Sequence, residues 1–158
     1  MDDVDIGDRS GSSVASAGDV NGDGFDDVII GAYRANAYAG ESYVVFGLTV
    51  AASLDLSTLD GTNGFRLDGI DAGDRSGFNG LGRRRQRDGF ADLIIGAYNA
   101  DPGGDGEAGE SYVVFGSGSG FAASLDLSTL DGTNGCLDGI DANDYEPVAR
   151  GRRQWRWL

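Results

Sequence analysis

Five positions in the stretch DVNGDGFDD, Asp19 to Asp27, have the residue types and spacing to hold a hard cation. Asp19, Asn21 and Asp23 alternate along the chain, so in a tight loop their oxygens can converge on one centre. Gly24 lets the chain fold back, the Phe25 carbonyl can add a backbone oxygen, and Asp27 can close the set with one or two more. An oxygen-seeking divalent ion takes six to eight such ligands at about 2.3–2.6 Å, and Ca2+ is the expected one. Softer metals would ask for Cys or His, and the chain has one Cys and no His.

The end of the loop decides what surrounds it. A helix-flanked calcium loop needs a bidentate acid at its twelfth position, and counting from Asp19 that position is Ile30. Here the last acid is the ninth residue and runs straight into Val28-Ile29-Ile30, a β-type run. The loop is therefore expected to bridge two strands. The competing reading is an Asp/Asn/Gly turn that binds nothing, and four acid or amide positions at one spacing argue against it.

The elements that must position the loop come in duplicate. GDRSG at residues 7–11 returns at 73–77, IIGAY at 29–33 returns at 94–98, and GESYVVFG at 40–47 returns at 109–116. AASLDLSTLDGTNG at 51–64 returns at 122–135, and LDGIDA at 67–72 returns at 137–142. The first unit is expected to form four strands, Ser13–Ala17, Asp27–Ala32, Glu41–Phe46 and Phe65–Asp68, with the candidate loop joining the first two. Four short strands and Gly-rich turns in a unit of roughly seventy residues predict an all-β fold of propeller blades, each of four antiparallel strands. The expected boundaries are a first blade over 1–72, a second over 73–142 and part of a third over 143–158.

YVVFG and IIGAY, with DVNGDGFDD just before the latter, resemble the FG-GAP repeat of integrin α-subunit β-propellers and of bacterial secreted proteins built from the same unit. Tyr33 and Tyr98 stand at the third letter of the GAP signature. The resemblance implies a seven-bladed propeller with calcium loops between the first two strands of certain blades, and Asp19, Asn21, Asp23, Asp27 and the Phe25 carbonyl as ligands. Two blades and part of a third are an incomplete propeller with open edges, for which further blades or other copies are the expected complement.

The repeat breaks where the second loop should stand. GLGRRRQRDGFADL keeps Asp88 and Asp92 in place of Asp23 and Asp27 but has Arg84 and Gln86 for Asp19 and Asn21. A cation at a ligand position repels calcium, so no binding is expected there. The end, GRRQWRWL at 151–158, breaks in the same way. One spelling of Gly151–Leu158 in codons, read a base later, gives Gly-Asp-Val-Asn-Gly-Asp-Gly, and Arg83–Arg87 yields Gly-Asp-Val-Asn-Gly by the same shift. Both clusters are therefore read as frameshift products, expected to lie in an exposed, poorly ordered loop and tail. The gene's own codons test this.

Counting Arg150, which adjoins the second cluster, eight of the 12 basic residues belong to these two stretches, so the remainder is more acidic than the net charge of −14 indicates. That balance disfavours nucleic acid and anionic membranes as partners and favours divalent cations. The Gly-rich runs lack the Lys of a phosphate loop. Ser53 and Ser57 have no His to activate them, and no acid pair stands out by spacing as catalytic. Cys136, one residue short of the first unit's Phe65-Arg66, reads as a buried strand residue or a deletion scar, not a nucleophile. The loop Asp101–Glu107 reads as a solvated hairpin turn in preference to a weak second cation site.

No stretch approaches the roughly 18 apolar residues of a membrane span, and the acidic N-terminus lacks the pattern of a signal peptide. The resemblance implies a secreted or cell-surface, non-catalytic scaffold for adhesion or ligand binding, with an extracellular protein or carbohydrate as ligand. The alternatives are an accessory propeller of a secreted phospholipase- or polysaccharide-lyase-like enzyme, or a truncated, frameshifted reading frame without function.

Overall fold

A computed structural model describes residues 6–47, 53–78, 82–85, 88–102, 106 and 108–139. Two sheets account for most of it. The first repeat supplies β1 (Ser13–Gly18), β2 (Asp27–Ala32), β3 (Glu41–Val45) and β4 (Gly64–Asp68). The second supplies β5 (Gly82–Arg85), β6 (Ala91–Ala97), β7 (Glu110–Val114), β8 (Ser124–Asp126) and β9 (Gly135–Gly139). One short helix, α1 (Ala35–Tyr38), lies between β2 and β3, and single 3-10 turns at Leu56–Thr58 and Leu127–Thr129 interrupt the long connections. The four expected strands of the first repeat fall within a residue of these bounds.

Strand order is β1-β2-β3-β4-β8 in the first sheet and β5-β6-β7-β9 in the second. All neighbours are antiparallel except β4 and β8. Neither sheet closes on itself or on the other, as in an incomplete propeller.

The register explains the core. Ala15, Ile29, Val44 and Phe65 stand side by side across β1 to β4, and alternation puts them all on one face. That face meets the row of Leu93 and Val114, and the row of Ile95 and Tyr112, from the second sheet. All eight belong to one core between the sheets, completed by Val20, Leu67 and Leu127. The first sheet's opposite face carries Tyr43 and Ile30, half covered by Leu54, Leu56 and Leu59. Val14 and Val28, on that same face, stay 60% and 39% exposed.

Two devices hold the repeats together besides the core. The GDRSG turn of the second repeat hooks over the first: Arg75 and Ser76 donate their N–H groups to the Tyr38 and Ala39 carbonyls at 2.8 and 2.9 Å. Ser13 donates its hydroxyl to the Gly77 carbonyl at 2.7 Å, where Gly31 leaves room that a Cβ would fill. Second, β8 crosses into the first sheet and runs parallel to β4, with Leu67 opposite Leu125. Phe121, just ahead of β8, stacks on Phe65 with ring centroids 4.2 Å apart.

One expectation is corrected. Arg83 to Arg85 do not lie in a loop: their backbone forms β5, with Arg84 opposite Asp92. Strand pairing uses backbone groups alone, and an edge strand tolerates charged residues. Gln86, Arg87, most of the 101–107 loop and the 151–158 cluster lie outside the described residues.

Candidate metal centre

The loop Asp19–Asp27 joins β1 to β2 as the sequence requires, and its polar side chains fold onto its own backbone. Asp19 accepts the Gly22 N–H at 2.7 Å and the Gly24 N–H at 3.0 Å, one on each oxygen. Asn21 Oδ1 accepts from the Asp23 N–H at 3.0 Å, and its amide donates to Asp23 Oδ2 at 2.9 Å. Asp23 Oδ1 accepts the Phe25 N–H at 2.8 Å. Gly22 and Gly24, at φ +79° and +91°, take the left-handed conformations that wind the chain round these carboxylates.

Asp27 differs from the others. It is buried, with Oδ2 accepting from the Val20 N–H at 2.8 Å and Oδ1 from the Gly47 N–H at 2.9 Å, which ties the loop's start to the end of β3. Burial pushes its carboxyl above the ordinary range, the two backbone bonds pull it down, and the negative charges of Asp23 and Asp19 raise it further. The three carboxylates therefore lie close enough to repel one another. A cation among them would convert that repulsion to attraction.

The donor set fits a hard divalent ion: three carboxylates, an amide oxygen and the Phe25 peptide, on one loop. A carboxylate oxygen that accepts one N–H keeps a second lone pair, so the present bonds and ligation do not compete. As the side chains stand, no three acids among the described residues gather into a metal-holding group. Ligation would require Asp19, Asn21 and Asp23 to turn toward one centre. Phe25 itself is 50% exposed.

The second repeat keeps half of this architecture. Asp88 Oδ1 accepts the Phe90 N–H at 3.1 Å, as Asp23 does for Phe25, and buried Asp92 accepts the Gly116 N–H at 3.2 Å, as Asp27 does for Gly47. In the other half, Arg84, at the position of Asp19, runs in β5.

Residues not singled out from sequence also form a repeated feature. Tyr43 donates to Glu41 and Tyr112 to Glu110, both within ESYVV, and burial with the adjacent carboxylate drives both phenols well above their usual range. The signal was available: Glu and Tyr two apart on a strand share a face. Arg75 likewise lies over the rings of Tyr38 and Tyr98, at 5.7 and 5.6 Å, and clamps the turn between repeats.

Duplicated four-stranded units packed face to face, with an Asp-rich loop between the first two strands of one, define an all-β protein of the incomplete-propeller class. The FG-GAP repeat model matches residues 10–45 and 87–114, so the chain carries FG-GAP repeats. No curated protein matches it. No helix among the described residues is long and apolar enough to cross a membrane.

Proposed function

We propose that this chain is a calcium-binding, non-catalytic propeller module that works as an extracellular scaffold for adhesion or ligand binding. FG-GAP repeats suggest an extracellular propeller-type module. The observation that carries the calcium reading is the loop itself, where Asp19, Asn21, Asp23 and Asp27 crowd their charges and dipoles around a tight turn between two strands. Asp19, Asn21, Asp23, Asp27 and the Phe25 carbonyl would hold the ion, which supplies positive charge and nothing else. Its binding energy adds to folding energy, because the unfolded chain does not gather these ligands. Secretion or display at the cell surface, and a protein or carbohydrate ligand held by surface loops, belong to the same reading.

A thermal melt in millimolar calcium against a chelator tests it. At a hundredfold excess over Kd, binding stabilises by about 2.7 kcal/mol, which for a chain of this size raises the midpoint by roughly 5–10 °C. Asp19→Ala or Asp23→Ala abolishes the rise. An unchanged midpoint in calcium would overturn the reading.

A further inference from the structure

The loop does more than face a cation, since its other side is the seat of the second repeat. The Asp19 carbonyl accepts the Ala91 N–H at 2.8 Å, and the Val20 carbonyl accepts the Ser117 N–H at 2.9 Å. Gly22 lies against the Phe90 ring so closely that a Cβ there would meet Cε1 at 2.4 Å. Gly116 is equally constrained, because its Cβ would meet the Val20 carbonyl at 2.9 Å. These contacts come from the two segments that flank β6 and β7 at one end of the second sheet.

The backbone of Val20 is the pivot. Its N–H is held by Asp27 at 2.8 Å, and its carbonyl holds Ser117. The adjoining Gly116 N–H goes to Asp92 at 3.2 Å. The residue that the buried acid of the first repeat holds is thus bonded to the residue next to the one that the buried acid of the second repeat holds.

We infer that the Asp19–Asp27 loop is a cation-dependent joint: an ion held by its side chains fixes the carbonyls and the Gly22 surface on which the second repeat docks. This rests on the calcium reading above and extends it from the loop to the neighbouring repeat. An ion that pins Asp19, Asn21 and Asp23 also fixes the peptides between them, and two of those peptide carbonyls, with Gly22, are the docking surface. The second repeat, with Arg84 and Gln86 at its own ligand positions, then draws local order from an ion bound one repeat away.

Amide hydrogen exchange on the full chain, read by mass spectrometry in millimolar calcium and in chelator, tests the joint. Calcium is expected to slow exchange about tenfold in peptides covering 19–27, and by a similar factor in those covering 88–95 and 113–120. Phe90→Ala empties the contact on Gly22 without touching a ligand, so it should keep the protection of 19–27 and lose that of 113–120. Should that variant fail to fold, Gly118→Ala is milder, since its Cβ would press the Phe90 ring at 2.9 Å. Protection confined to 19–27 overturns the joint and leaves the calcium reading standing. Protection nowhere overturns both. Equal protection of all peptides in the parent and in Phe90→Ala marks general stabilisation and overturns the joint.

Discussion

Asp27 and Asp23 are four residues apart in one loop, yet they are expected to respond differently to removal. Asp27 satisfies two backbone N–H groups from a buried position, so Asp27→Ala leaves both without a partner and should cost about 2–4 kcal/mol even in chelator. Asp23 bonds only within the loop, so Asp23→Ala should change calcium-free stability by less than about 1 kcal/mol while abolishing the calcium response. Paired denaturation curves with and without calcium separate the two. The distinction was not legible in the sequence, where the spacing makes the acids equivalent. Asp27 is singled out by Gly47, a residue 20 positions away that only folding brings near. The acids of DGTNG, by contrast, were readable as turn residues. Asp60 and Asp131 each accept from the N–H and hydroxyl of the Thr two residues on, and those bonds hold both carboxyls below their ordinary value. A depressed folded value contributes stability that is present above the unfolded pKa of about 3.9 and is lost as pH falls through the folded one. Asp60→Asn with Asp131→Asn should therefore flatten the fall of the melting midpoint with pH below about 4.

Among the elements, β8 shows what a sequence pattern leaves open. Residues 51–64 and 122–135 are identical, and the repeated LST and DGTNG turns form alike in both copies. Yet Ser124–Asp126 is a strand, whereas Ser53 to Asp55 is not. The cause is a neighbour: β4 offers the later copy a free edge, and strand identity follows from pairing as much as from side chains. The Phe65–Phe121 stack guards this addition, so Phe121→Ala should destabilise by about 3 kcal/mol and raise hydrogen exchange in 123–126 ahead of the rest of the sheet. The other elements were legible because their short β-type apolar runs return in the second repeat. Arg83 to Arg85 carry no such run, and the partner strand β6 supplies the order instead.

At the scale of the molecule, each repeat presents two unlike faces, and only one pair is matched within the described residues. The Leu93 row of the second sheet is buried against the first, while its counterpart in the first, Val28, is exposed beside Val14. An open apolar face on an acidic chain should limit solubility at high salt, where repulsion is screened. Val14→Lys with Val28→Lys is expected to leave the melting midpoint within a degree or two and to raise the salt concentration at which the protein begins to associate, as light scattering would record.

The passage of β8 into its neighbour's sheet also bears on how such chains grow and decay. The unit that repeats in the sequence ends in one place and the unit that folds ends in another, so the second copy carries a strand that belongs to the sheet of the first. A lineage can lengthen by whole repeats only if each newcomer is compatible with its predecessor at once. A lesion in one copy is correspondingly felt upstream, in a sheet whose own coding sequence is untouched.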